Sequence, residues 1–152
     1  MLTLTAQYAL RAIVTMASQK DNEPILAKDL AKITGIPRQY LSAILRSAVR
    51  ARLLKSTRGR GGGYLLARSP KAISLLEVLS PFEGIADRDT CPFGFAKCSD
   101  ENPCPVHPYW RPVTQAYRRM LSQTKLDVFV DQEQSAGKVR RKRYQGPPNS
   151  PR

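Results

Sequence analysis

Histidine is the scarcest chemistry in this 152-residue chain: His107 stands alone. One imidazole excludes most histidine-based catalytic triads and every multi-histidine metal site. Cysteine is nearly as rare, with three residues. An odd number of thiols without an export signal argues against a disulfide framework. The opening Met-Leu-Thr-Leu-Thr has no cationic stretch, and Arg11 interrupts the first apolar run, which argues against a secretory signal. No apolar run approaches ~18 residues, so no transmembrane helix is expected, and the expected location is cytoplasmic. There is no base–nucleophile pair, and no Lys-Ser/Thr pair opening a helix after a glycine loop. An enzyme is therefore not expected.

Acidic charge is also short. Lys+Arg number 25 against 12 Asp+Glu, a formal net charge of +13. The excess is uneven: residues 1–81 carry 13 basic and 4 acidic groups, residues 82–137 carry 6 and 8, and residues 138–152 carry 6 and none. A basic folded half points to a polyanion partner, most often nucleic acid.

What is present is mostly helical pattern. Ala6, Ala9, Leu10, Ile13, Met16 and Ala17 recur at helical steps over 3–19, with Thr3 or Thr5 as cap and Asp21-Asn22-Glu23-Pro24 as the turn that ends it. A short helix fits 27–33, with Leu30, Ala31 and Ile33 inward. Gly35 falls where a helix end wants a left-handed residue. Pro37 is expected at the first position of a third helix running to about Ala51, with Leu41, Ile44, Leu45 and Ala48 as its buried stripe. Two helices joined by a short turn containing glycine form a helix-turn-helix.

The next segment reads as a strand over 53–57, the basic glycine loop Arg58-Gly-Arg60-Gly61-Gly62-Gly63, and a second strand over 64–67. A hairpin in this place is a wing. Its glycines let backbone approach phosphate, and Arg58 and Arg60 supply charge. Ser74-Leu75-Leu76-Glu77 reads as a capping box opening a fourth helix that Pro81 ends. A long helix fits 108–124, with Trp110, Val113, Tyr117, Met120 and Leu121 as an apolar stripe that must be covered, either by a second copy or by its own domain. Leu126, Val128, Phe129 and Val130 read as a short final element. The Gly-, Pro-, Ser- and Lys/Arg-rich segment 135–152 reads as a disordered basic tail.

Between the fourth and fifth helices lies Cys-x6-Cys-x5-Cys-x2-His: Cys91, Cys98, Cys104 and His107. Three thiols and an imidazole in one irregular loop form a ligand constellation, with redox-active thiols as the rival. Cys3His would satisfy tetrahedral zinc, but zinc loops favour closer cysteine pairs. Wider spacings suit an iron–sulfur core, on which histidine can replace one thiolate. Spacing leaves both open.

Four stretches carry a resemblance. They are Tyr8-Ala-Leu-Arg-Ala12, Ile36-Pro-Arg-Gln-Tyr-Leu41, Arg58-Gly-Arg-Gly-Gly-Gly-Tyr-Leu-Leu-Ala-Arg68, and Cys98-Ser-Asp-Glu-Asn-Pro-Cys104-Pro-Val-His107-Pro-Tyr-Trp110. Over residues 1 to about 130 the chain resembles the Rrf2 (Rrf-two) family of bacterial winged-helix regulators. The resemblance implies a mainly α fold with a small β-hairpin wing, a homodimer on a partly palindromic double-stranded DNA operator, and a 2Fe–2S or 4Fe–4S cluster held by Cys91, Cys98 and Cys104. His107 matches the fourth ligand of the IscR-like branch. In the NsrR-like branch the fourth ligand is an acidic residue near the start of the chain, where this sequence has Gln7. The Cys91–Cys98 spacing is one residue longer than the family's usual one. On this reading 1–81 is the winged helix-turn-helix domain, 82–107 the cluster loop, 108–134 the dimerisation helix and 135–152 the tail. Arg38, Gln39, Ser42 and Arg46 are the expected major-groove residues, and Arg58, Arg60, Gly61 and Gly62 the expected wing contacts. The expected signal is nitric oxide, redox state or iron supply. The alternative is a winged-helix DNA-binding protein with structural zinc or redox thiols.

Overall fold

The computed structural model describes residues 2–19, 22–83 and 100–130. The expected tail over 135–152, and most of the expected cluster loop, lie outside these residues. Helix α1 (Leu4–Ala17), α2 (Ala27–Thr34) and α3 (Arg38–Arg50) are followed by strands β1 (Leu54–Thr57) and β2 (Gly63–Leu66). A 3-10 turn (Pro70–Ala72), α4 (Leu75–Leu79), the long α5 (His107–Gln123) and a helical stretch over 127–130, where a short final element is expected, follow.

Local chemistry accounts for the helix ends. The Thr3 hydroxyl accepts from the Ala6 N–H at 3.2 Å and caps α1. Gly35 closes α2 at φ 70, and its N–H donates to the Ala31 carbonyl at 2.9 Å. Pro37 is not the first residue of α3 but its N-cap, at φ −58 and ψ 135. The ring fixes φ at a value both positions accept, so ψ alone moves the boundary by one residue.

Helices α1, α2 and α3 bury one face each. Ala6, Ala12, Ile13 and Met16 meet Leu30, Leu41, Leu45 and Ala48 in a single core, and Ala9 and Ile44 are buried as well. Each large side chain buried there contributes roughly 1.5–3 kcal/mol of transfer free energy. Ile33 departs from expectation: it is 56% exposed, and Thr34 is buried instead. Leu30 and Thr34 are one helical turn apart and share a face, whereas Ile33 is rotated off it. The buried hydroxyl of Thr34 donates to the Leu30 carbonyl at 2.7 Å, which removes the cost of burying it.

The hairpin pairs Leu54 with Leu66 and Thr57 with Gly63, antiparallel. The second strand begins one residue earlier than the sequence pattern indicates, because Gly63 already pairs. A second pairing fixes the hairpin to the helices. The Ile25 N–H donates to the Tyr64 carbonyl and the Tyr64 N–H to the Ile25 carbonyl, both at 2.9 Å. Gly63 permits this approach. It sits at φ +153, and a Cβ there would lie 2.6 Å from the Ile25 carbonyl oxygen.

At α4 the expected capping box forms. The Ser74 hydroxyl accepts from the Glu77 N–H, and the Glu77 carboxylate accepts from the Ser74 N–H at 2.8 Å. Arg68 pairs with the same carboxylate at 2.6 Å. Partial burial pushes the Glu77 carboxyl up, but the Ser74 N–H, the Arg68 guanidinium and the Ser74 hydroxyl outweigh it and bring it down to about 2. After α5 the chain returns to this corner: the Leu75 N–H donates to the Thr124 carbonyl and the Leu126 N–H to the Ile73 carbonyl, both at 2.9 Å. Leu121 and Leu126 are buried there, while Phe129 and Val130 pack on the core edge.

Two outcomes follow. Gly63→Ala is expected to lower unfolding free energy by about 2 kcal/mol or more, measured by urea denaturation, because its Cβ meets backbone and its φ disfavours any side chain. Glu77→Ala is expected to cost about 1 kcal/mol at neutral pH, discounted because the Arg68–Glu77 pair is substantially exposed. The folded-state pKa is depressed, so this stability is present above the ordinary carboxylate range and is lost as pH falls toward about 2. Melting curves of the two proteins should converge over that acidic window.

Candidate nucleic-acid interface and metal centre

Helix α3 turns one face to the core and the other to solvent. Leu41, Ile44, Leu45 and Ala48 are buried, and Arg38, Gln39 and Arg46 are exposed on the opposite side. Ser42 is half-buried between the two faces. Tyr40, also exposed, stacks at an angle on Tyr8 with ring centroids 6.2 Å apart. The Arg11 guanidinium lies 5.7 Å from the Tyr8 ring centroid and donates to the Thr34 carbonyl at 3.4 Å. This braces the start of α3 against α1 and the end of α2. Tyr8 and Arg11 thus have a bracing role that their spacing alone did not reveal.

At the tip of the wing the Gly62 N–H donates to the Gly59 carbonyl at 3.0 Å, and Gly61 takes φ 74. Arg58, Arg60 and Gly61 are exposed, whereas Gly62 is buried. A Cβ on Gly62 would lie 2.5 Å from the Thr57 carbonyl oxygen, so this glycine closes the turn. Among the described residues, no ion pair engages Arg38, Arg46, Arg58 or Arg60. Lys28 and Lys32 on α2 and Lys55 on β1 are exposed as well, so α2, α3 and the wing all carry solvent-facing positive charge.

The second site stands at the head of α5. The His107 N–H donates to the Cys104 carbonyl at 2.9 Å, which puts both side chains on one turn. His107 is 9% exposed. Its Nε2 lies 2.9 Å from Asp100 Oδ1, and Asp100 Oδ2 lies 2.9 Å from the Arg111 guanidinium one turn along α5. A carboxylate on one ring nitrogen is the usual way of orienting a metal-bound imidazole. Cys91 and Cys98 lie outside the described residues. Among those described, no group of three His, Cys, Asp or Glu is gathered for a metal ion.

Along α5, Val113 (55% exposed), Tyr117 (38%) and Met120 (46%) line one side, and Tyr109 projects further. Trp110 is half-buried and Leu121 buried, so the expected stripe is split between solvent and core. Burial first, and then the nearby Glu83 carboxylate, push the Tyr117 phenol up. Glu83 also accepts from the Thr3 N–H at the head of α1.

Residues 2–132 match the model of the Rrf2 family, described as an iron-dependent transcriptional regulator. The chain belongs to the Rrf2 family. Its relatives include the HTH-type transcriptional regulator IscR of Klebsiella pneumoniae, 28% identical over 133 residues, covering 88% of this chain and 81% of the relative. IscR of Xenorhabdus nematophila is 29% identical, with 88% and 80% covered. Among solved structures, T. potens IscR superposes with a TM-score of 0.71 at 25% identity, covering 90% of each chain. CymR, the global cysteine regulator of B. subtilis, superposes with a TM-score of 0.70 at 22% identity, covering 86% of this chain and 96% of that one, and attests the fold. The Rrf2 chain is thus a winged-helix transcriptional regulator of IscR type and not an enzyme. Among its described residues no helix is long and apolar enough to cross a membrane.

Replacing both wing arginines (Arg58→Ala with Arg60→Ala) is expected to weaken binding to any mixed-sequence duplex and to reduce the slope of log affinity against log salt by about 1–2. Gln39→Ala is expected to leave that slope unchanged and to alter sequence preference only. Fluorescence anisotropy across a salt series measures both.

Proposed function

We propose that this protein is a homodimeric repressor or activator whose grip on an operator is set by an iron–sulfur cluster. The observation that carries the DNA reading is that Arg38, Gln39 and Arg46 of α3 and Arg58 and Arg60 of the wing are all exposed, and that among the described residues no ion pair engages the four arginines. Helix α3 enters the major groove, where Gln39 and Arg38 have the donors and acceptors to read base edges, and Ser42 supports them at closer range. The wing tip meets the flanking phosphates, with Gly61 allowing close approach. A second copy covers Val113, Tyr117 and Met120 on α5, so that two α3 helices present themselves at a fixed spacing to a partly palindromic site.

Cys104 and His107 fit a cluster. They share one turn, the imidazole is buried, and Asp100 holds its outer nitrogen. Cys91 and Cys98 complete the ligand set in this proposal. When bound, the cluster supplies a centre that nitric oxide, oxygen or iron scarcity alters. The protein's own residues carry the consequence. Asp100 links His107 to Arg111 and so to the body of α5. Glu83, at the other end of the intervening segment, is joined to Thr3 on α1 and neighbours Tyr117 on α5. Any change in the span between Glu83 and Asp100 is therefore felt by α1 and α5 together. Those two helices set where α3 stands relative to its copy, which makes the arrangement a coupling between two sites. The cytoplasm is the compartment in which such a regulator meets DNA and reduced iron.

Anaerobically prepared protein, before and after iron chelation, is expected to differ at least tenfold in affinity for duplexes selected from a random library, or to select different duplexes. Cys104→Ser should behave like the chelated protein without chelation. Equal affinity and equal selection in both states would remove the sensing role and leave a DNA-binding protein with structural zinc or free thiols.

A further inference from the structure

The outer edge of the wing is completed by a side chain that acts as a strand. Along an antiparallel strand, successive residues turn their backbone polar groups alternately to one neighbour and the other. The Ala67 N–H reaches the Leu53 carbonyl at 2.9 Å, so Ala67, Leu65 and Gly63 face β1, and Tyr64 and Leu66 face away. Ile25 takes the outward groups of Tyr64 through its backbone. The outward groups of Leu66 are taken by Asn22. Its amide nitrogen donates to the Leu66 carbonyl at 3.1 Å, and its amide oxygen accepts from the Leu66 N–H at 3.1 Å. Asn22 holds φ 51, a left-handed conformation that asparagine tolerates better than most residues. The 22–25 segment therefore forms a third rung on the hairpin, half backbone and half side chain.

We propose that Asn22 is a positioning residue for DNA binding. Its amide clamps Leu66 and, with the Ile25–Tyr64 pair, sets the angle at which the wing leaves the helix-turn-helix. The inference rests on the reading of the wing as a phosphate-contacting element. The strands of the hairpin have four residues each, and a two-stranded ribbon of that size has little orientation of its own. The tip that carries Arg58 and Arg60 is exposed, so its direction is inherited from its base. With the clamp in place the two guanidinium groups stand near their binding positions before DNA arrives. Without it the tip samples a wider cone, and binding must order it.

Asn22→Gly is the clean variant, because glycine accepts the same φ and deletes both hydrogen bonds. Affinity for a mixed-sequence duplex is expected to fall roughly 3- to 10-fold, with a shallower salt slope. The Arg58→Ala, Arg60→Ala pair should then weaken binding less in the Asn22→Gly background than in the native one. Asn22→Asp keeps the acceptor for the Leu66 N–H and should recover part of the loss. It carries the same comparison if the glycine variant does not fold. Hydrogen exchange at the Leu66 amide reports the clamp directly. Faster exchange with native affinity and an undiminished arginine effect would overturn the positioning role while leaving the wing reading intact. Arginine replacements that are silent in the native background would instead overturn the wing reading, and the role of Asn22 with it.

Discussion

Two hydrogen bonds between Ile25 and Tyr64 join the hairpin to the segment that leads into α2, and the proposed DNA-facing surface depends on that junction. The apolar core holds α1, α2 and α3 together without it, since Leu30, Leu41 and Leu45 are fully buried among helices. The core also takes in Leu54 and Leu66 at the base of the hairpin, but it leaves the outward backbone groups of β2 to be satisfied. Their pairing needs a glycine at Gly63 so that the backbones meet, and polar groups that finish the edge. Edge strands left open invite unwanted pairing, and here the segment before α2 closes the edge.

Most of the helical framework was legible from apolar spacing and turn chemistry. Gly35 at φ 70, the Ser74–Glu77 capping box and the buried stripe of α3 stand where those signals put them. The exceptions have two causes: helical rotation within α2 at Ile33, and contacts that cross the chain at Gly63 and Asn22. Ile33 is as apolar as Leu30, yet Thr34 and not Ile33 lies on the buried face with Leu30 and Ala31. Gly63 looks like loop by composition but pairs with Thr57, because the approach of Ile25 decides its conformation. The amide of Asn22 reads in sequence as a turn signal, whereas its partner is 44 residues away.

The candidate site was legible in part. A wing rich in arginine and glycine, after a helix-turn-helix, announces a polyanion partner, and the structure sets Arg38, Arg46, Arg58 and Arg60 in solvent on neighbouring elements. The role of Asp100 was not legible, because nothing in the spacing ties it to both His107 and Arg111. Nor was the Glu83–Thr3 contact, which spans 80 residues and joins the start of the cysteine-bearing segment to α1. These two carboxylates bracket that segment from its two ends. In the proposed signalling, Asp100 and Glu83 tie that segment to α5 and to the head of α1.

The central claim is that Cys91, Cys98, Cys104 and His107 together hold an iron–sulfur cluster. The most direct test is an ultraviolet–visible spectrum, with iron and acid-labile sulfide assays, on full-length protein purified without oxygen. The account predicts a brown protein with thiolate-to-iron absorption in the visible and near-equal iron and sulfide. A protein that is colourless as purified, and still colourless after anaerobic reconstitution with iron and sulfide, would contradict it.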